Sequence, residues 1–251
     1  MKTVQHDALI MSSPQENEIF KEFASHFKQS PLPDDEIISN LGLFLNSKSL
    51  QRILFFNEIY KKILSHHGII CEFGVRWGQT LSIMSALRGI SEPFNRYRKI
   101  VGFDTFSGFA GVCPEDGNLS NCHDGSFAVP NHYEDYLGKL LLLQEKMNPM
   151  SHIKRYELVK GDAITTVPDY LKRHPETIVS LAIFDFDIYA PTKAALEAIK
   201  PHLTKGSILV FDELCDEFFP GETLALREIM DLSTLKVQRM PGGTRMSYIE
   251  I

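Results

Sequence analysis

The sequence predicts an α/β fold: a doubly wound, mostly parallel, Rossmann-like sheet with an antiparallel final strand and an N-terminal helical extension. Three observations carry this. Apolar runs of strand length recur near residues 69–73, 100–103, 156–160, 179–183 and 207–211, each followed by a helical pattern, the signature of βαβ units. These runs end in acids, at Glu72, Asp104, Asp162, Asp185 and Asp212, and in open α/β sheets ligands bind at the carboxyl ends of the strands. Finally, residues 236–240 and 246–251 read as two strands joined through Pro241-Gly242-Gly243, which suits an antiparallel edge.

A chain of 251 residues fits one such domain with some decoration, here a helical extension over 1–67 and a ligand-binding domain over 68–251. A hydrophobic content of 43% is enough for an ordinary folded core. The net charge of -6 argues against a nucleic-acid partner, because phosphate binding needs a basic surface. No apolar run reaches the length of a membrane span, so no membrane partner is expected. The first 18 residues lack a basic start followed by an apolar core, which argues against a secretory signal. Cys71, Cys113, Cys122 and Cys215 follow no zinc or redox spacing, and reduced thiols in a cytoplasmic protein are expected. A zinc site on Cys113, Cys122 and His123 would lack a fourth ligand.

Residues 1 to about 14 are polar and read as loosely held. Residues 16–27 place Ile19, Phe20, Phe23 and Phe27 at helical spacing, and residues 49–64 do the same with Leu50, Ile53, Leu54, Ile59, Tyr60 and Ile63. These helices are expected to cover a pocket or to pair with another copy in a homo-oligomer; packing on the sheet edge is the plainer alternative.

The first strand, Ile69-Ile70-Cys71-Glu72-Phe73, runs into Gly74 and Gly78, where a ligand can approach the backbone closely. Two glycines alone are weak evidence. The acid ahead of them is more informative, since Glu72 would oppose a pyrophosphate and attract a cationic ligand. That favours S-adenosylmethionine over NAD. Asp104 at the second strand end is placed to bond ribose hydroxyls or to cap a turn, and both readings stay open. Asp162 is placed to bond an adenine amino group or to cap a helix. Thr80, Thr105, Ser107, Ala163 and Asp185 complete the candidate cofactor set.

The stretch Phe184-Asp185-Phe186-Asp187-Ile188-Tyr189-Ala190-Pro191-Thr192 is the most specific. If the strand continued, Asp185 and Asp187 would point the same way. A second acidic strand end, Asp212-Glu213, follows. Carboxylates gathered so closely repel, and a hard cation such as Mg²⁺ is the usual remedy.

With these motifs the chain resembles the macrocin (TylF/MycF-type) O-methyltransferases, a class I methyltransferase family dependent on S-adenosylmethionine and Mg²⁺. The resemblance covers residues 68–231 and rests on Cys71-Glu72-Phe73-Gly74-Val75 with Gly78, on Gly102-Phe103-Asp104-Thr105-Phe106-Ser107-Gly108, on Asp185 to Thr192, and on Asp212-Glu213. It implies methyl transfer to a hydroxyl of a small molecule, a sugar or other vicinal diol. It implies Asp187, Asp212 and Glu213 as metal ligands, and Glu72 and Asp104 as cofactor residues. The family's Asp-Asp-Tyr is replaced here by Asp212-Glu213-Leu214, which puts metal geometry and acceptor in question. Asp187 is the first candidate for proton acceptor. His123 and His132, in or beside a long loop over 113–130, are the second. Alternatives are a catechol-type phenol O-methyltransferase, an NAD-dependent oxidoreductase and a non-catalytic binding protein.

Overall fold

The computed structural model describes residues 13–241 and 245–251. The loosely held start expected over residues 1–12 and the glycine turn at 242–244 lie outside the described residues.

A six-stranded sheet organises the chain from Ile53 onward. Its strands are β1 (Ile69–Phe73), β2 (Ile100–Asp104), β3 (Tyr156–Lys160), β4 (Val179–Phe184), β5 (Leu203–Phe211) and β6 (Ser247–Glu250), in the order β3-β2-β1-β4-β5-β6. The first five are mutually parallel and β6 pairs antiparallel with β5. Every residue of β4 is buried, because a central parallel strand is covered on both faces, which is why it reads as an unbroken apolar run. The helices are α1 (Pro14–Lys28), α2 (Asp34–Ile37), α3 (Ser47–Ile63), α4 (Gln79–Ser91), α5 (Tyr133–Met147), α6 (Ala163–Arg173), α7 (Tyr189–Ile199) and α8 (Gly221–Ile229).

The two faces of the sheet carry separate cores. One joins Ile70, Leu181, Ile183, Ile208 and Val210 to α3, α4 and α5. The other joins Phe73, Phe103, Phe184 and Phe211 to α6, α7 and α8. In the second, Phe73, Phe103 and Phe184 stack with centroids about 5 Å apart (Phe73–Phe103 5.3 Å, Phe73–Phe184 4.9 Å), and Phe211 continues the row at 4.8 Å from Phe184. These four aromatics stand side by side on adjacent strands and fix the level at which the strands end.

The chain divides into Met1–Arg52 and Ile53–Ile251. That boundary falls inside α3 rather than after residue 67. The reason is a stripe on its second half: Phe55, Phe56, Ile59, Tyr60 and Ile63 are buried and belong to the sheet's core. The N-terminal unit has a different character. Ser13 caps α1 in a reciprocal box with Glu16, whose backbone N–H it accepts at 3.2 Å. Yet neither α1 nor α2 buries a residue. Phe23, Phe27, Leu43 and Leu45 stay substantially exposed.

Residues 236–240 do not form the expected strand. Among the described residues that stretch contributes only an isolated bridge between Gln238 and Tyr248. Gln238 and Tyr248 exchange both backbone hydrogen bonds on the outer edge of β6, at 2.8 and 2.9 Å.

Buried arginines tie the cores together. The Glu145 carboxylate, 1% exposed, takes Arg88 at 2.5 Å and Arg155 at 2.8 Å. Arg98 pairs with Glu92 at 2.8 Å and donates to the carbonyls of Ile63, His66 and Gly68, fastening the end of α3 to the start of β1. Replacing Glu145 by Ala would leave two guanidinium groups buried without their counter-charge. The expected loss is about 3–5 kcal/mol of folding free energy, with Glu145→Gln milder; urea denaturation at neutral pH measures it.

Candidate active site

The strand order reverses between β1 and β4, so a crevice opens at their carboxyl ends. The two loops leaving it press against each other. Gly74 sits at φ 94°, and a Cβ there would lie 1.9 Å from the Asp185 carbonyl oxygen, so only glycine fits. Gly74 donates to the Phe103 carbonyl at 3.0 Å and Asp185 to the Phe73 carbonyl at 2.8 Å, extending the sheet's ladder past the strands themselves. Gly78, also at positive φ, is the N-cap of α4 and packs against Leu137.

Glu72 is 2% exposed, held in β1 between Gly102 and Ile183. Thr80 is buried in the first turn of α4. Asp104 holds the β1 loop: its Oδ2 accepts the backbone N–H of Val75 at 2.7 Å and of Arg76 at 2.8 Å, and its Oδ1 accepts Phe106 N–H at 2.5 Å. It therefore does at least the turn-fixing task, and with four acceptor sites on a carboxylate one direction is left for a ribose hydroxyl. Thr105 closes the next turn by donating to the Gly108 carbonyl at 2.6 Å, and Ser107 is exposed beside it. Asp162 caps α6 by accepting Ile164 N–H at 2.9 Å, which starts that helix at Ala163.

The acidic strand ends do converge, though not by strand geometry. β4 stops at Phe184, and Asp187 adopts φ 63°, in the left-handed region. The expected same-face pairing of Asp185 and Asp187 along a continued strand is replaced by a tight turn that folds Asp187 back. Its Oδ1 is enclosed and has no hydrogen-bond partner among the described residues. Asp212 and Glu213 are 4% and 3% exposed, and Glu213 Oε2 is likewise enclosed without a partner.

Three groups that the sequence reading missed complete the site. Glu222, fully buried in the first turn of α8, accepts the backbone N–H of Asp187 through Oε1 and of Glu213 through Oε2, both at 3.3 Å. One side chain thus spans the two acidic loops. Asp116 is also fully buried and accepts Cys113 N–H at 2.8 Å and Tyr189 N–H at 2.5 Å, anchoring the loop over 113–130 to the start of α7. Arg245 pairs with both members of the second acidic end: Nη2 lies 2.6 Å from Asp212 Oδ2, and Nη1 contacts Glu213 Oε1. Acids in the first turn of a helix and a lone arginine after two glycines are too common to have marked Glu222 or Arg245 in the sequence. His123 and His132 stand at exposed positions. The first has its Nδ1 3.0 Å from the Asp124 carbonyl, and the second is the left-handed N-cap of α5.

The electrostatics follow from burial. Asp187 is pushed well above the usual carboxylate range by loss of water, then by Glu213, Asp185, Glu222 and Asp212. Glu222 is raised for the same reasons. Glu213 is pushed up to about 8; burial outweighs the opposing pull of Arg245. Enclosed oxygens without partners, in a set of hard carboxylates, fit the chemistry of a divalent cation. No group of three or more His, Cys, Asp or Glu side chains among the described residues is arranged to hold a metal. Arg245 stands between Asp212 and Glu213.

The chain superposes on the crystal structure of CalS11, a calicheamicin methyltransferase, with a TM-score of 0.94 at 42% identity, covering 97% of this chain and 95% of that one. The chain belongs to the S-adenosylmethionine-dependent O-methyltransferases of the TylF/MycF group. The apo structure of CalS11, a TDP-rhamnose 3'-O-methyltransferase of calicheamicin biosynthesis, gives 0.85 at 39% identity over 97% of both chains. The O-methyltransferase NovP, 15% identical with a TM-score of 0.58 over 82% of this chain and 81% of that one, shares the fold. No protein-family model and no curated protein matches the chain.

The raised carboxyls give the cation-free methyltransferase a stability that depends on pH. Glu213 binds its proton more tightly folded (about 8) than unfolded (near the ordinary 4.5), so the folded state holds more protons between those values. Stability is then greatest below the unfolded value and falls as pH rises through the folded one. In a chelating buffer the melting temperature should drop from about pH 5 to about pH 8, and Glu213→Gln should flatten that slope.

Proposed function

We propose that the enzyme transfers the methyl group of S-adenosylmethionine to a hydroxyl of a sugar, with Mg²⁺ bound by Asp187, Asp212 and Glu213. The observation that carries the metal is the pair of enclosed, partnerless oxygens, Asp187 Oδ1 and Glu213 Oε2, beside the cofactor crevice. The sugar acceptor is supported by CalS11, whose acceptor is TDP-rhamnose. That likeness also favours a sugar over a catechol.

S-adenosylmethionine supplies an already activated methyl group, and bound Mg²⁺ lowers the pKa of a coordinated hydroxyl and fixes its direction. The protein's share is placement and proton transfer. Gly74 and Gly78 let the β1 loop lie close to the cofactor, and Glu72, buried at the end of β1, supplies negative charge near a sulfonium ligand. Asp104, Thr105, Ser107, Asp162, Ala163 and Asp185 lie at or just after the carboxyl ends of β2, β3 and β4, on the same edge of the sheet. Asp187 accepts the hydroxyl proton, because its carboxylate lies among Glu213, Asp185, Glu222 and Asp212, where the cation and the hydroxyl would meet. His123 and His132 take second place because both stand at exposed loop or cap positions. Glu222 keeps Asp187 and Glu213 at a set separation through their backbone amides. The loop over 113–130, tied down by Asp116, gives one wall of the acceptor side.

Four free cysteines suit a cytoplasmic setting, and no helix among the described residues is long and apolar enough to cross a membrane. The exposed apolar residues of α1 support a homo-oligomer.

Chelation by EDTA should abolish methyl transfer to a nucleotide-linked deoxysugar, and Mg²⁺ should restore it. Asp187→Ala should lower turnover by at least about 10²-fold while S-adenosylhomocysteine still raises the melting temperature. Full activity in EDTA would refute the metal's role, and unchanged turnover in the variant would refute that of Asp187.

A further inference from the structure

Arg245 contacts the acidic strand end in a way that a merely structural ion pair does not require. Its Nε and Nη2 both reach Asp212 Oδ2, at 3.0 Å and 2.6 Å, and its Nη1 reaches Glu213 Oε1. The planar fork thus bridges two carboxylates that are neighbours in sequence. Its partners are nearly inaccessible, yet the Arg245 side chain itself is 60% exposed. The guanidinium enters from the solvent side, and its withdrawal would open no hole in the core. Nor does it complete the site: Glu213 Oε2, on the same carboxylate that Arg245 holds, and Asp187 Oδ1 are still without partners. The Arg245 guanidinium faces Asp212 and Glu213 directly, while Asp185, Asp187 and Glu222 add their charge to the same small volume.

We infer that Arg245 is the resident cation of the metal-free enzyme and sets the affinity of Asp187, Asp212 and Glu213 for a divalent ion by competing for the same carboxylates. This rests on the proposed metal dependence. A divalent ion on Asp187 Oδ1 and Glu213 Oε2 would meet a guanidinium already seated on the other oxygen of Glu213 and on Asp212, and two positive groups so close repel. Arg245 therefore has to draw back from at least one carboxylate for the ion to bind tightly. The fraction of molecules in which it has done so scales the apparent affinity.

Mn²⁺ binding to the full-length chain, read by the electron paramagnetic resonance of the free ion, tests this. Wild type, Arg245→Ala, Arg245→Lys and Asp187→Ala are compared. Arg245→Ala should bind Mn²⁺ about tenfold more tightly than wild type, with Arg245→Lys nearer to wild type. Arg245→Ala should also melt below wild type in EDTA, and saturating Mn²⁺ should close that gap. Should the alanine variant prove too unstable to handle, Arg245→Gln, neutral and similar in reach, carries the same expectation. Equal or weaker Mn²⁺ binding by the neutral variants overturns the inference, and the metal reading survives if wild type binds Mn²⁺ and Asp187→Ala does not. If no variant and no wild-type protein binds Mn²⁺, the metal reading falls and the inference falls with it.

Discussion

The structure is built around a repulsion. Asp185, Asp187, Asp212, Glu213 and Glu222 are gathered where β4 and β5 end, and Asp212, Glu213 and Glu222 are almost wholly removed from water. Burying one carboxylate without a counter-charge costs several kcal/mol, and neighbours of like sign add to that cost. A fold accepts such an arrangement when something positive completes it. The chain itself brings positive charge: Arg245 lies on Asp212 and Glu213, and Arg76 carries a charge that Asp187, Asp185 and Asp104 favour although burial opposes it. A sulfonium cofactor and a divalent ion would bring the rest of the positive charge from outside.

The frame that bears this load is rigid for ordinary reasons. The stacked Phe73, Phe103, Phe184 and Phe211 hold four strand ends level, and Gly74 lets the β1 and β4 loops touch at a distance no other residue permits. Glu222 and Asp116 then do with hydrogen bonds what the ladder cannot do beyond the strands: one joins the two acidic loops, the other fixes the long loop to α7. Placement within a fraction of an ångström is what a displacement at carbon demands of its protein.

Much of this was legible in the sequence, for reasons that can be named. Parallel strands covered on both faces appear as unbroken apolar runs, so β1, β2 and β4 were found nearly to the residue, while β5 starts at Leu203, ahead of its apolar run, where Thr204 and Lys205 are exposed. Amphipathic stripes located α1 and α3. Misreadings arose where a local pattern met a non-local decision. Residues 236–240 alternate like a strand, yet among the described residues their pairing with the outer edge of β6 is confined to Gln238. Asp187 leaves the strand in a left-handed turn, which no period-two argument foresees.

By itself the sequence determined the order of strands and helices, the acidic character of the strand ends and the family to which they point, because each is set by residues within a few positions of one another. Only the tertiary structure decided which charges meet. Glu222 lies 35 positions from Asp187, and Arg245 lies 33 from Asp212. Contacts across such separations depend on how β4, β5, α8 and β6 come together, and a side chain's neighbours in space leave no trace in its neighbours along the chain.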